Sequence, residues 1–442
     1  MMGSWSNLER VHERKCALFM YVRRSPRRLC AGDVFVMSRR KFCAEISKAA
    51  AAVLTSGKCF ASENLKSIQD TFDFGENKEN AEYLTKQILT YLGNKRSLLK
   101  YIGNGIDIAR KNLGKEKLSF FDAFSGSGIV ARYMKQFASL VIANDLERYS
   151  EVVNKCYLTN RTSIDQDKLA GIYDKWVRET HRNLEPGIIS KLYAPKDDLN
   201  IQAGERVFYT RSNAIILDSA RAALDRVCPK EYFNLLLAPL LSEASIHSNT
   251  SGVFKGFYKN RDGIGAFGGE GKNALVRICG DVKLQMPVLS NFNCESIVLR
   301  GDTNQIVKDV PEVDVAYFDP PYNQHPYGSN YFMLNVLADN REPENISRVS
   351  GIPEDWNHSK YNVRSSAEDS FFTLLSDVRA KYLLVSYNSE GFISYDSFIK
   401  FLSKLGEVTP VEIEYNTFRG SRNLRARALK VKEYLFMVHK HV

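Results

Sequence analysis

Leu118-Ser-Phe-Phe-Asp-Ala-Phe-Ser-Gly-Ser-Gly-Ile-Val-Ala-Arg-Tyr133 reads as a strand, a glycine turn and the start of a helix. The apolar run Leu118 to Asp122 has strand length, and Ser125-Gly-Ser-Gly128 opens the helix. Glycines there let the backbone approach a ligand closely, while the helix start offers free N–H groups. The Lys-Ser/Thr pair of a phosphate-cradling P-loop does not follow, which argues against an ATPase. A second strand, Leu140 to Ala143, delivers Asn144 and Asp145, the latter 23 positions after Asp122. An acid at that spacing suits ribose hydroxyls, and a helix cap is its alternative role. Turn and acid together favour a nucleoside-containing cofactor, with a dehydrogenase as the competing reading. Strand, turn, helix and strand begin an open, parallel α/β sheet.

The pattern extends in both directions. Upstream, Ser97 is placed to cap a helix whose apolar positions Leu98, Ile102, Ile106 and Ala109 share one face, ending at Gly114. Downstream, Ser296 to Leu299, Val313 to Phe318 and Lys381 to Val385 are apolar strands that run into Asp302, Asp319 and Asn388. Ligands of open α/β sheets bind at such strand ends. Between the halves, over residues 155–293, the alternation is lost and an inserted domain is expected. The first 85 residues show no clear period and read as an appendage: a basic arm, an organellar address, or an extension upstream of a start at Met37 or later.

Asp319-Pro-Pro-Tyr322 discriminates between cofactors. Two prolines fix φ and remove two N–H donors, so the carbonyls point outward as acceptors. A carboxylate beside such a carbonyl can accept both hydrogens of an amino group conjugated to an aromatic ring. Its nitrogen lone pair is then localised and becomes nucleophilic toward an activated methyl. Tyr322 offers a face on which a base can stack. The bland alternative is a loop that ends a buried strand.

With Tyr91-Leu-Gly-Asn-Lys95, Asp122 to Gly128, Asp145 and Asp302, this motif resembles the alpha-group N6-adenine DNA methyltransferases, the DNA adenine methylase family, over about residues 86–442. The resemblance implies a Rossmann-like class I methyltransferase sheet, mostly parallel with an antiparallel last strand near Glu433 to Val438, split by a target-recognition insert. The expected division is 1–85, 86–154, 155–293 and 294–442. It implies S-adenosyl-L-methionine as cofactor, with Tyr91 and Lys95 near its methionine end and the catalytic pocket. Asp122, Ser125, Gly126 and Gly128 would line methionine and ribose, Asp145 would hold the ribose hydroxyls, and Asp302 would accept from the adenine amino group. A solvated helix-start lysine and a surface cap are the plainer readings of Lys95 and Asp302. The catalytic residues implied are Asp319, Pro320, Pro321 and Tyr322, and double-stranded DNA is the substrate, with a cognate restriction endonuclease as a further expected partner. An RNA adenine methyltransferase, a cytosine-N4 or protein-amide methyltransferase and a non-catalytic DNA-binding subunit are the alternatives.

Two segments suit nucleic acid. Thr417 to Lys432 carries Arg419, Arg422, Arg425 and Arg427 with two lysines and no acid. Gly252 to Lys272 interleaves aromatics with Lys255, Tyr258, Lys259 and Arg261, as in a loop that orders on binding. Just before it, His247 shows no partner acid in the sequence. Tyr327 and Tyr331 read equally as a clamp for a target base or as core.

Composition limits the rest. With 442 residues, 44% hydrophobic and 25% charged, the chain is that of an ordinary globular protein. Residues 1–41 hold ten Lys or Arg against three acids, so they account for +7 of the net charge of +10. Eight scattered cysteines without a C-x-x-C pair indicate neither a zinc site nor a disulfide framework, and free thiols in the cytoplasm are expected. No metal and no membrane anchor is expected, because no apolar stretch reaches spanning length.

Overall fold

A computed structural model describes residues 79–416 and 430–441. Seven strands form one sheet: β1 (Leu118–Asp122), β2 (Ala138–Asp145), β3 (Glu295–Arg300), β4 (Val313–Phe318), β5 (Ala380–Asn388), β6 (Gly406–Asn416) and β7 (Lys430–Lys440). Their order is β3-β2-β1-β4-β5-β7-β6. The first five are parallel, β7 runs antiparallel to β5, and β6 pairs antiparallel with β7. This is the mostly parallel sheet with a reversed strand that the sequence implies. Chain order reverses between β1 and β4, the topological switch point where α/β sheets bind ligands.

Side-chain alternation buries both faces. Phe120, Val141, Val315, Tyr317 and Leu384 join one core, while Phe121, Ile142, Ala316, Phe318 and Leu383 join the other. The first face is covered by α1 (Leu99–Leu113), α2 (Ile129–Met134) and α3 (Arg148–Tyr157). Helices α4 (Gln166–Arg182), α5 (Arg211–Val227) and α6 (Lys230–Ile246), which follow α3, extend that core through Trp176, Leu217 and Leu236 without a break. Helix α7 (Phe332–Asp339) joins it as well, held by Arg221 of α5, whose Nε donates to the Leu337 carbonyl at 3.1 Å. The second face is covered by α8 (Arg364–Asp377) and α9 (Tyr395–Leu402).

One local expectation is corrected. Ser97 caps no helix: the chain enters α1 through a 3-10 turn, Lys95–Leu98, whose cap is Asn94, with the Arg96 N–H donating to its Oδ1 at 2.9 Å. The turn matters because it buries Lys95. Helix α1 ends as expected at Gly114, which adopts the left-handed conformation.

Candidate active site

The C-terminal ends of β1, β2 and β4 open on one cavity, lined among others by Tyr91, Lys95, Asp122, Ser125, Gly126, Asp145, Asp302 and Asp319. At its β1–β2 end the turn is built from main chain. Gly126 has φ +53°, and a Cβ there would stand 2.9 Å from the Tyr91 ring; Gly128, at +72°, would meet Asn154 Oδ1 at 2.6 Å. The Gly126 N–H donates to Asp145 Oδ2 at 2.7 Å and the Glu147 N–H to its Oδ1 at 2.9 Å. Asp145 thus ties the turn to the start of α3. Burial raises its carboxyl, against these backbone donors.

Asp122 is 1% exposed, and neither of its oxygens has a well-formed hydrogen bond. Burial pushes its carboxyl up to about 7, against the neighbouring Ser125 hydroxyl. A buried acceptor pair so poorly satisfied by its neighbours is what a cationic or N–H-bearing ligand would complete. The residues present therefore fit the amino-acid end of S-adenosylmethionine. Asp302 lines the same cavity and also caps a short helix, its Oδ1 accepting from the Asn304 N–H at 3.0 Å.

At the β4 end the carboxylate is held by a side-chain cation. Lys95 Nζ lies 2.9 Å from Asp319 Oδ1 and 2.8 Å from Glu433 Oε1. Lys95 is no solvated lysine: it is 5% exposed. Burial alone would lower its pKa, but the two carboxylates more than reverse this and hold it raised. Burial pushes the Asp319 carboxyl up to about 6, opposed by Lys95 and assisted by Glu433. Among the described residues no N–H is bonded to the carbonyls of Pro320 or Pro321, whereas the Tyr322 carbonyl accepts from Phe392 at 3.0 Å. The Tyr322 ring stands edge-on to Tyr387 at 6.2 Å.

Tyr91 stacks against Tyr327 at 5.1 Å and Tyr331 at 4.7 Å, and those two rings lie 5.9 Å from each other. Its hydroxyl meets that of Tyr149 at 3.0 Å. Tyr331 is wholly buried, so of the two tyrosines weighed as a clamp only Tyr327 faces the cavity.

The segment from Gly252 to Lys272 has its own internal order. Asn249 organises it, donating from Nδ2 to the carbonyls of Val207 and Ala266 and accepting at Oδ1 from the Gly268 N–H. Lys255 and Lys259 are exposed, Tyr258 is half-buried, and Arg261 pairs with Glu270 at 3.1 Å. His247 does have an acid partner: Glu243, one helical turn back, at 3.3 Å. Spacing i,i+4 on a helix was the overlooked signal. Arg419, Arg422, Arg425 and Arg427 lie outside the described residues, between β6 and β7, as does the N-terminal stretch up to residue 78.

Three features escaped the sequence reading. Glu147 lines the cavity, accepts from Asn335 at 2.6 Å and Asn357 at 3.0 Å, and is pushed up to about 7 by burial against those amides. The segment from Asn357 to Asn362 lines the cavity as well, fastened by Tyr361, whose hydroxyl donates to Asn304 Oδ1 at 2.6 Å. Glu433 was legible only as a strand residue; its signal is a charge on the inward period-two row of Val431, Leu435 and Met437. Among the described residues no group of three His, Cys, Asp or Glu side chains could hold a metal ion, and no helix is long and apolar enough to cross a membrane.

Comparison with known proteins adds a family and three relatives. Residues 91–395 match the sequence model of a family described as D12 class N6 adenine-specific DNA methyltransferase. The type II methyltransferase M.NlaIII of Neisseria lactamica is 29% identical over 362 residues, covering 80% of this chain and 99% of the relative. M.CviAII of Paramecium bursaria Chlorella virus 1 is 29% identical over 358 residues, covering 79% and 98%. M.FokI of Planomicrobium okeanokoites is 26% identical over 360 residues, and there the match spans 53% of the longer relative.

Proposed function

The chain belongs to the D12 class N6 adenine-specific DNA methyltransferase family, and from that premise we propose that Asp319 and the Pro320 carbonyl are the acceptors that activate the target amino group. Bound S-adenosylmethionine supplies a methyl group on a sulfonium, whose transfer leaves the neutral thioether S-adenosylhomocysteine. Asp122, Ser125, Gly126 and Gly128 hold the methionine and ribose end, Asp145 the ribose hydroxyls and Asp302 the purine amino group. An adenine inside a duplex cannot reach Asp319, so its nucleotide is flipped out, with Tyr322 as the stacking face. Asp319 and the Pro320 carbonyl draw the two N6 hydrogens into hydrogen bonds. The nitrogen lone pair then forms the bond to the methyl carbon, and one of those hydrogens leaves as a proton. Positioning and fixed charge account for most of the rate.

The observation that carries this reading is that Asp319 and Pro321 share one cavity wall with the buried, poorly satisfied Asp122 carboxylate, while Pro320, whose carbonyl no backbone N–H of the described residues meets, is buried directly between Asp319 and Pro321 in the chain. We further infer a site-specific enzyme acting on duplex DNA in the cytoplasm within a restriction-modification system, as the names of its relatives suggest, alongside a cognate endonuclease. Residues 155–293 serve as the target-recognition insert, with Lys255, Tyr258, Lys259 and Arg261 contacting DNA. Tritiated methyl transfer to matched DNA duplexes and RNA, followed by nucleoside analysis, tests the reaction. N6-methyldeoxyadenosine from duplex DNA is expected; label in RNA alone overturns it.

A further inference from the structure

Lys95 is shared, and the sharing is asymmetric in purpose. One carboxylate, Asp319, is 19% exposed at the side chain and faces the cavity; the other, Glu433, is 1% exposed and faces none of it. Glu433 projects from the inward row of β7, and its Oε2 accepts from Asn388 Nδ2 at 3.2 Å. Asn388 is the last residue of β5 and is 2% exposed. A continuous polar chain therefore runs from the β5–β7 seam through Glu433 and Lys95 to Asp319. A charged triad in an apolar sheet costs more desolvation than a single pair, so stability alone is a poor reason for it. Glu433 also lies outside residues 91–395, the stretch matched by the family.

Two carboxylates for one ammonium leave a net negative charge on the three groups. A lone Lys95–Asp319 pair would leave none: the ammonium would settle on Asp319 and compete with the incoming amino group for its oxygens. Resting on Asp319 as the amine acceptor, we propose that Glu433 is a positioning residue for methyl transfer, drawing the Lys95 ammonium partly to itself so that the Asp319 oxygens are less occupied by Lys95 and accept more strongly from the target base. The charged and titratable groups facing Asp319 are Lys95 from the turn before α1, Glu433 from β7, Asp122 from β1, and the phenols of Tyr317, Tyr322 and Tyr327. Only Lys95 among them is cationic. Removing the Glu433 charge lowers the Asp319 pKa in two ways of the same sign, by deleting a negative neighbour and by giving Lys95 wholly to Asp319.

Glu433→Gln tests this, since it keeps the shape and removes the charge. Expected is a fall in kcat of roughly 10- to 100-fold, less than for losing a direct contact to the reacting group. The KM for DNA and the affinity for S-adenosylhomocysteine should hold, and the acid limb of the kcat profile should move to lower pH. Glu433→Asp, which retracts the charge without deleting it, should shift both in the same direction by less, and it carries the test if the glutamine variant does not fold. Because Glu433 acts mainly through Lys95, its loss in a Lys95→Met background should have a much smaller further effect on kcat. Unchanged kcat and an unmoved acid limb would overturn the proposal, and so would additivity in that double variant or a parallel loss of cofactor affinity. Near-normal turnover by Asp319→Ala marks instead a failure of the Asp319 reading, and is separable because Glu433 need not be varied to see it.

Discussion

The two ends of the cavity hold their carboxylates by different means. At the β1–β2 end, Asp145 is fixed by two backbone N–H groups, from Gly126 and Glu147. At the β4 end, Asp319 is fixed by the ammonium of Lys95, itself divided with Glu433. Backbone donors are set by the fold and carry no charge that titrates. A lysine is mobile in principle and can be tuned by its neighbours. The first arrangement suits a cofactor bound every cycle in the same pose; the second suits a reacting group whose charge must be adjusted. Substitutions at the two ends should therefore fail differently, one in affinity and the other in rate.

The largest contrast is expected at Asp319. Asp319→Ala should lower turnover on the order of 10²-fold or more while leaving S-adenosylhomocysteine affinity by calorimetry nearly intact. A comparable loss of cofactor affinity would erase the distinction between the two ends. Asp145→Ala should do the reverse. It leaves the Gly126 and Glu147 N–H groups without an acceptor and should weaken cofactor binding by about 1–3 kcal/mol. DNA affinity measured without cofactor should not change. If both affinities fall together, Asp145 acts only as a structural tie between turn and helix.

Asp122 sharpens the same contrast through pH. Its folded pKa, about 7, is raised from 3.8, so folding favours the protonated acid. That contribution to stability is complete below the unfolded value and is lost as pH rises through about 7. The cofactor-free protein should melt at lower temperature at pH 8 than at pH 5, and Asp122→Asn should remove part of that drop. A gain of about 1–3 °C at pH 8 is expected, the effect of one or two kcal/mol in a protein of this size. Glu147 shifts in the same direction and retains the remainder. Cofactor affinity of the variant should fall. An Asn variant no more stable at pH 8, yet binding cofactor normally, would mean that Asp122 is not poised for a ligand.

How much of this was legible in the sequence follows the same division. β1 and β4 match their expected bounds, and β2, β3 and β5 extend beyond theirs by one to three residues at either end, because apolar runs of strand length bounded by polar residues carry that information locally. Asp122 and Asp145 were legible for the same reason: each is the last residue of a strand. Lys95 gave no local sign of burial, since its partners lie far along the chain, in Asp319 and Glu433. Pairings across β5 and β7 come from the register of distant strands, which no single window contains. Residues 155–293 showed in the sequence only a loss of alternation, and the union of their helices with the sheet's core depends on α6, which is buried nearly all round.

The smallest effects belong to neither end. Arg419, Arg422, Arg425 and Arg427 lie between β6 and β7, which remain paired up to Asn416 and Lys430. Arg419 and Arg422 flank Gly420 and Ser421, where backbone can come close to DNA, so either phosphate contact or base reading is chemically open to them. If each arginine neutralises one phosphate, an Ala substitution should weaken binding to every duplex alike and reduce the slope of log K against log salt by about 0.9. Turnover at saturating DNA and cofactor affinity should both stay unchanged, unlike any variant at the two ends of the cavity. A bidentate pair with guanine would behave otherwise: its loss should cost about 1–3 kcal/mol at one base position and relax discrimination there. Phosphate contact is expected, with base reading assigned to the insert. Binding of each variant to cognate and mismatched duplexes at several salt concentrations separates the two. Loss of discrimination at a single position with an unchanged salt slope would move specificity out of residues 155–293 and into residues 417–429.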